Sequence, residues 1–335
     1  MTEIAAACGV SQATVSLVLN NAPGTRISSV TRDLVLRTAK DLGYVPPARN
    51  AGRRPVIAML IDEVTSTPHV AGLIAGVAAA ANDAGYLVSV MPTAQDGAAE
   101  HAALSFLAQL PVAGVIYARL VTQEVILPPR VTDYPCILLN CYVEGDRVPA
   151  VIPGDQAAGV TAVLSLLDAG HRRIAYIGGE DSIEASVERQ KGYRRALATR
   201  DVPYDPALVV KGGYTIAGGH SGMKRLFALP DPPTAVFCFC DRTALGVYTA
   251  AAEAGLTIGR DLSVIGFDNE AFTADMAPPL TTMQLPHADM ARHAVEELVD
   301  WITQQKPPAR PYRLKFDCQM ISRASTGPLL VRQPA

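Results

Sequence analysis

The chain has 335 residues, of which 49% are hydrophobic and 18% are charged. This is the composition of an ordinary soluble protein of two to three domains with a sizeable core, and it excludes a membrane-embedded chain because no apolar run is long enough to cross a bilayer. The net charge is -3, but residues 1–55 hold seven basic and three acidic residues, a net charge of +4 that leaves -7 on the remainder. A basic head on an acidic body favours phosphate contact at one end.

The six cysteines form no C-x-x-C pair and have no histidine at zinc spacing. We therefore expect reduced, mostly buried thiols and neither a bound metal nor a cofactor. The chain does not open with a charged segment followed by an apolar one, so no secretory signal is predicted. These features together predict a cytoplasmic protein with no membrane partner.

The first twenty residues predict two short helices joined by a turn. Thr2 can cap a helix over 3–7, Gly9 supplies the turn, and Ser11 caps a second helix over 12–20. The apolar stripe of the second helix consists of Val15, Val18 and Leu19. Its opposite face consists of Ala13, Ser16, Leu17 and Asn20. A helix with small and polar side chains on its outer face suits the major groove of DNA.

A third helix and a linker follow. Ser28 caps a helix that is predicted to end at Leu42, with Gly43 next and two prolines shortly after. The segment 46–55 is short, contains no leucine, and is rich in Pro, Arg, Ala and Gly. It reads as a linker between the helical head and the rest of the chain.

From residue 56 onward, apolar strands alternate with helices, which is the pattern of parallel α/β sheets. Strands are predicted at 56–61, 87–91, 114–118, 136–140, 174–177, 208–211, 235–239, 263–267, 312–316 and 319–322. Helices are predicted at 70–84, 98–110, 156–169, one ending near 198, 217–228, 243–254 and 287–304. The number of elements predicts two doubly wound lobes.

Several sequence motifs occur in a characteristic order along the chain. They are Gly9-Val10-Ser11-Gln12-Ala13-Thr14-Val15-Ser16, Val18-Leu19-Asn20, Leu42-Gly43-Tyr44-Val45-Pro46, Gly170-His171-Arg172-Arg173-Ile174, Arg189-Gln190-Lys191-Gly192-Tyr193, Ser263-Val264-Ile265-Gly266-Phe267-Asp268 and Pro278-Pro279-Leu280-Thr281-Thr282. Over essentially its whole length the chain resembles the LacI/GalR family of transcriptional regulators. The resemblance implies an all-α helix-turn-helix headpiece followed by an α/β core of two doubly wound lobes, similar to periplasmic sugar-binding proteins.

This resemblance implies a domain plan of a DNA-binding headpiece at 1–45, a hinge linker at 46–55 and an effector-binding and dimerisation domain at 56–335. Within the last domain, lobe 1 is expected at about 56–152 and 284–325, and lobe 2 at about 153–283. The expected partners are a near-palindromic double-stranded DNA operator, a sugar-like small effector and a second copy of the chain.

The headpiece residues expected at the DNA divide into two groups. Gln12, Ala13 and Ser16 are predicted at base edges, and Ser11, Thr14 and Tyr44 nearer phosphates. Further candidates for DNA contact are Leu17, Asn20, Ser28, Thr31 and Arg49. Leu17 stands where the family usually has an arginine that reads a guanine, so we expect a different readout at that base.

A ligand of an open α/β sheet binds beyond the carboxyl ends of the strands. Asp241 and Asp268 directly follow predicted strands, and Arg189 lies in the helix after Gly178-Gly179. By resemblance these three residues contact the effector, since a guanidinium and carboxylates can bracket hydroxyl groups. The alternatives are helix capping or turn formation after a strand for the aspartates, and a surface or lobe-bridging ion pair for Arg189. Weaker candidates are His69, which could instead cap a helix, and Tyr214 and Phe272, which could stack on the ligand or simply pack in the core.

The function that follows is sequence-specific DNA binding under the control of a small effector, most simply by a repressor. The alternatives are a solute-binding protein and a small-molecule enzyme with the same α/β body. The sequence lacks G-x-G-x-x-G after a strand, the P-loop, G-x-S-x-G and H-E-x-x-H. We therefore expect binding rather than catalysis.

Overall fold

The computed structural model describes residues 2–19, 27–42, 54–65, 69–94 and 96–329. The chain divides into two compact units, Met1–Arg54 and Pro55–Ala335. The smaller unit contains helices α1 (Thr2–Cys8), α2 (Gln12–Leu19) and α3 (Ser29–Asp41). The larger unit contains, in chain order, β1 (Val56–Ile61), α4 (His69–Asp83), β2 (Leu87–Pro92), α5 (Gly97–Leu107), β3 (Val112–Glu124), β4 (Cys136–Tyr142), β5 (Ala150–Pro153), α6 (Asp155–Asp168), β6 (Ile174–Gly178), α7 (Glu184–Thr199), β7 (Val209–Lys211), α8 (Ile216–Phe227), β8 (Ala235–Cys238), α9 (Asp241–Glu253), β9 (Ser263–Asp268), β10 (Thr281–Gln284), α10 (His287–Gln304), β11 (Arg313–Phe316) and β12 (Gln319–Ile321).

The three helices of the small unit pack around one apolar core. Its buried members are Ile4, Ala5, Val15, Val18, Val35 and Ala39. Gly9 adopts φ +62° in the turn between α1 and α2, a conformation that favours glycine because it has no Cβ. Thr2, predicted to cap the first helix, is instead the first residue of α1.

The first lobe of the large unit is built on a six-stranded parallel sheet of order β11-β5-β4-β3-β1-β2. Helix α10 buries Met290, Ala294 and Leu298 on one face and packs against α4. The two helices approach closely at Gly76, where a Cβ would lie 2.9 Å from that of Ala291. Burying a leucine or methionine side chain stabilises the fold by about 1.5–3 kcal/mol.

The second lobe has a six-stranded sheet of order β12-β10-β9-β8-β6-β7, parallel except for β12, which pairs antiparallel with β10. Helices α6 and α7 lie so close that a Cβ on Gly192 would be 2.4 Å from the carbonyl oxygen of Gln156. The chain passes between the lobes after β5, after β10 and after β11.

Three features of the sheets differ from the expectation. Strands β5 and β10 were not predicted, because each has only four residues and contains or adjoins proline, threonine or glutamine. Strand β3 runs on to Glu124, past a register shift between Ala118 and Gln123. The segment 284–325, expected to return to the first lobe, is divided between the sheets because β12 joins the second.

None of the helices formed by the described residues combines the length and the apolar character that a membrane span requires.

Candidate functional site

A cleft lies between the two lobes, towards the carboxyl ends of their strands. The first lobe contributes residues of β3, β4 and the end of β5, and the second contributes residues of α7, the last residue of β9 and the loops after β7, β8 and β10. The lining residues are Leu120, Val121, Thr122, Asn140, Pro153, Ala185, Arg189, Tyr214, Phe239, Asp268 and Leu285. Most are apolar, so the few polar groups fix which chemistry the cleft accepts.

Arg189 lies at the base of the cleft and is only 4% exposed. Its Nε donates to Asp155 Oδ1 at 2.8 Å, and its Nη1 donates to the carbonyl oxygen of Phe239 at 2.6 Å. The guanidinium carbon also lies 3.3 Å from the ring centroid of Phe267, a cation–π contact. Burial lowers the pKa of Arg189, but the carboxylates of Asp155 and Asp268 more than offset this and raise it above its ordinary value.

Asp155 is the first residue of α6, where the chain enters the second lobe, and it is as buried as Arg189. Burial raises the pKa of its carboxyl group, and the attraction of Arg189 only partly opposes that rise. The charge of Asp155 is therefore tolerated only because the guanidinium lies against it.

Asp268 ends β9 with φ 108°, a left-handed conformation that is uncommon for a residue with a side chain. Its side chain is 8% exposed, and its Oδ1 lies 3.8 Å from Arg189 Nη1, too far for a hydrogen bond. Burial, together with the negative charges of Asp241 and Glu270, raises the pKa of Asp268 well above the usual carboxyl range despite Arg189. This carboxyl group faces the cleft without a hydrogen-bond donor among the described residues.

Tyr214 brings an aromatic edge and a hydroxyl group to the cleft. Its ring is perpendicular to that of Phe239, with the centroids 4.8 Å apart. The hydroxyl group is buried and has no hydrogen-bond partner in the described part of the chain. A buried polar group without a partner is costly, which makes this hydroxyl a candidate to form a hydrogen bond with a ligand.

Asn140 was not among the predicted site residues, although it ends the strand predicted at 136–140; in the structure β4 continues for two more residues to Tyr142. Its backbone is left-handed, with φ 58°. The side chain accepts from the Thr122 hydroxyl at 2.7 Å and donates to the carbonyl oxygens of Arg119 and Leu120 at 3.0 and 2.8 Å. It thereby fixes the end of β3 at the cleft. Applying the strand-end rule to β4 would have identified it.

The structure separates the other predicted effector residues from the cleft lining. Asp241 is fully buried and accepts hydrogen bonds from the Thr282 hydroxyl at 2.6 Å and from the Glu270 amide at 2.8 Å. These bonds stabilise the turn after β9, which corresponds to the alternative of turn formation. Burial raises its pKa to about 7. Phe272 is half-buried in a short 3-10 turn and does not line the cleft. His69 is the first residue of α4, and its side chain is outside the described part of the chain.

A hydrogen bond between two side chains joins the lobes. The Tyr142 hydroxyl, at the end of β4, donates to Glu184 Oε2 at 2.6 Å, at the start of α7. On the first-lobe side, the guanidinium carbon of Arg313 lies 3.6 Å from the Tyr142 ring centroid, and Arg313 is paired with Asp146. Burial, and then the hydrogen bond to Glu184, raises the pKa of Tyr142 to about 12.

The small unit presents one face of α2 outward. Val15 and Val18 are buried, whereas Gln12 and Ala13 are exposed and Leu17 is 39% exposed. Ser11 Oγ accepts from the Thr14 amide at 3.1 Å, and Ser28 Oγ accepts from the Thr31 amide at 3.1 Å, so both serines cap helices as predicted. The side chain of Ser16 and the whole of Asn20, Tyr44 and Arg49 are outside the described residues.

A capped three-helix unit with an outward α2, on a chain that also forms a two-lobed α/β body with an interlobe cleft, defines a ligand-responsive DNA-binding regulator. Family comparison agrees with this class. Residues 1–47 match the family of bacterial regulatory proteins described as the lacI family, and residues 163–326 match the periplasmic binding protein-like domain.

Known proteins are similar over nearly the whole chain. The HTH-type transcriptional repressor CytR of Escherichia coli (strain K12) is 32% identical over 98% of this chain and 96% of its own length. The HTH-type transcriptional regulator CelR of Thermobifida fusca is 31% identical over 96% of each chain. A solved CelR–cellobiose complex is 30% identical, covers 96% of this chain and 98% of its own, and has a TM-score of 0.68. The chain belongs to the lacI family and is a DNA-binding transcriptional regulator.

Proposed function

We propose that the protein is a homodimeric repressor that binds a near-palindromic operator and whose operator affinity is set by a small effector in the interlobe cleft. We assign the DNA-binding headpiece to 1–45, the hinge linker to 46–55 and the effector and dimerisation domain to 56–335. The protein acts in the cytoplasm by binding and not by catalysis. The observation that carries the proposal is the outward face of α2, held by the Ser11 cap.

At the operator, Gln12, Ala13 and Ser16 read base edges, while Ser11 and Thr14 lie nearer phosphates. Two symmetry-related headpieces place their α2 helices in major grooves about one helical turn apart. Leu17 has no hydrogen-bonding group and is exposed, so it offers a thymine methyl group an apolar contact. The remaining candidates for DNA contact are Asn20, Ser28, Thr31, Tyr44 and Arg49.

The cleft couples ligand to DNA because both lobes line it. A ligand that favours one lobe arrangement and an operator that favours another weaken each other's binding by the same factor. The solved CelR complex contains cellobiose, which supports a sugar-like effector here. The effector is held at Arg189, Asp268 and Tyr214.

An operator titration tests this proposal. Fluorescence anisotropy with a selected operator should give binding that weakens steeply with salt, because phosphate contacts release counterions. Deleting residues 1–50 should abolish binding, and Gln12→Ala should weaken it by about 1–3 kcal/mol if the side chain reads a base. The matched control, Gln109→Ala in the body, should bind as the unaltered protein does. Operator binding that survives the deletion would refute the assignment.

A further inference from the structure

We propose that the cleft selects an uncharged compound with hydroxyl or amino donors beside an apolar face, and rejects the phosphorylated and carboxylated relatives of that compound. The existence of a ligand rests on the proposed function, whereas its charge class follows from the cleft itself. The residues that impose it are Asp268, Asp155 and Tyr214, together with the already neutralised Arg189.

The charged groups beneath the cleft disfavour the binding of an anion. Arg189 is the one cation among the described lining residues, and its Nε and Nη1 are engaged by Asp155 and the Phe239 carbonyl oxygen. Asp268 adds a second carboxyl group 3.8 Å from the same guanidinium. Two buried carboxyl groups thus face one guanidinium, and the raised pKa of Asp268 reflects a site that opposes a second negative charge, so a buried phosphate would be opposed as well.

A second pocket shares Asp268 and Leu285 with the cleft, and the described residues that line it include no lysine or arginine. Its lining residues are Gly72, Asp268, Asn269, Glu270, Ala271, Gln284, Leu285, His287 and Ala288. Glu270 is negative and pairs with Arg242 at 3.5 Å. Burial lowers the pKa of His287 to about 4, so its imidazole is neutral at pH 7.

The unsatisfied groups specify what the ligand must supply. The Asp268 carboxyl group lacks a donor in the described part of the chain, and the Tyr214 hydroxyl lacks any partner there. A hydroxyl or amino group can donate to the first and exchange a hydrogen bond with the second. Leu120, Val121 and Leu285 supply apolar surface for the rest of the ligand. Uncharged polyols and glycosides have this combination of groups.

Matched compound pairs test the charge class on the full-length protein. Thermal shift and calorimetry are run with glucose and glucose 6-phosphate, ribose and ribose 5-phosphate, adenosine and adenosine monophosphate, and glucose and gluconate. We expect only uncharged members to bind. Inorganic phosphate, compared with chloride at equal ionic strength, should leave the melting temperature of the unaltered protein unchanged. Stabilisation by phosphate, or by any anionic member above its neutral partner, overturns the proposal.

Variants extend the test to the residues. Asp268→Asn should bind inorganic phosphate at least tenfold more tightly than the unaltered protein, because it replaces the carboxyl group that competes with phosphate for the Arg189 guanidinium by a group that cannot ionise, and the exposed control Asp275→Asn should not. Failure of a folded Asp268→Asn variant to gain phosphate binding means that Asp268 is not the filter. If that variant does not fold, two other measurements test the proposal: the phosphate titration of the unaltered protein and the affinity of Tyr214→Phe for the best uncharged compound.

Tyr214→Phe removes a buried hydroxyl group that has no protein partner among the described residues, so the unliganded protein should melt at the same or a higher temperature. Its affinity for the best uncharged compound should fall about three- to tenfold, the loss of one neutral hydrogen bond. Unchanged affinity refutes the assigned ligand position. If no compound of the panel binds, the gain of phosphate binding by Asp268→Asn is the deciding result.

Operator anisotropy separates the two proposals. An uncharged compound that binds without changing operator affinity leaves the charge class standing and contradicts effector control. A phosphorylated compound that binds and changes operator affinity supports effector control and overturns the charge class.

Discussion

Replacing Arg189 with methionine should destabilise the large unit far more than a surface substitution would, because it leaves Asp155 buried without its counter-ion. At 2.8 Å and an effective dielectric constant of about 20, the two charges attract by about 6 kcal/mol, part of which offsets their burial. Removing one partner of a buried pair costs about 3–5 kcal/mol. The lost hydrogen bond to the Phe239 carbonyl oxygen adds to this.

Urea unfolding followed by fluorescence of Trp301, the single tryptophan of the chain, measures this loss because Trp301 lies in α10 of the large unit. The Arg189→Met variant should lose about 3–5 kcal/mol of unfolding free energy. Asp155→Asn should lose less, about 1–2 kcal/mol, because the asparagine oxygen can still accept from Nε and Asp268 remains as a counter-ion. The double variant should be more stable than the sum of the two single losses predicts.

The pH dependence provides a second check. In Arg189→Met the folded pKa of Asp155 should rise further above its unfolded value, because burial then acts without the guanidinium. The folded state then holds a proton that the unfolded state releases, so stability is greatest at low pH and falls as pH rises. The deficit relative to the unaltered protein should shrink between pH 8 and pH 5. A loss below about 1 kcal/mol, or strict additivity in the double variant, would refute the buried-pair reasoning.

Three further predictions concern other contacts. Tyr142→Phe removes the hydrogen bond to Glu184 that joins the two lobes. Amide hydrogen exchange at the start of α7 should therefore accelerate about tenfold. An unchanged exchange rate would contradict a role of this bond in lobe closure. Gly192→Ala should lower the free energy of unfolding by about 1–3 kcal/mol, because the added Cβ would lie 2.4 Å from the Gln156 carbonyl oxygen. An unchanged melting temperature would show that α6 and α7 can move apart without cost. Burial raises the pKa of Asp241 in the folded state to about 7, so the free energy of unfolding should decrease between about pH 4 and pH 7. Asp241→Asn should reduce this dependence on pH. An unchanged dependence would mean that other groups cause it.

The alternation of apolar runs was enough to predict the parallel sheets, because strands such as β1, β4 and β9 are buried on both faces and read as largely apolar segments. Strand β1 shows this, with five of its six residues buried. Strands β5 and β10 escaped prediction because their pairing is provided by neighbouring strands and not by their own composition. Short strands of this kind are defined by tertiary context.

The site shows a similar limit. Two aspartates that both follow apolar strands were given the same role, yet Asp241 has both oxygens occupied by protein groups whereas Asp268 faces the cleft. Their sequence contexts are alike, and only the distances to Thr282 and Glu270 separate them. The burial of Arg189 was equally invisible, because it depends on Asp155, which is distant in sequence and enters from another helix.

The backbone itself explains why polar side chains reach the cleft at strand ends. Asn140, Asp268 and Asn269 all adopt positive φ, of 58°, 108° and 56°. Asparagine and aspartate tolerate this region better than other residues with side chains, yet it still costs energy relative to an extended strand. Asp268 and Asn269 lie where β9 ends, and Asn140 lies two residues before the end of β4. At each position the change in backbone conformation carries an amide or a carboxyl group. Strain gathered at such positions is characteristic of ligand sites, because the surrounding sheets are rigid enough to hold it. Asn140 in the first lobe and Asp268 in the second thus line one cleft from backbone positions set by their own sheets, so movement of one lobe relative to the other would change the distance between them.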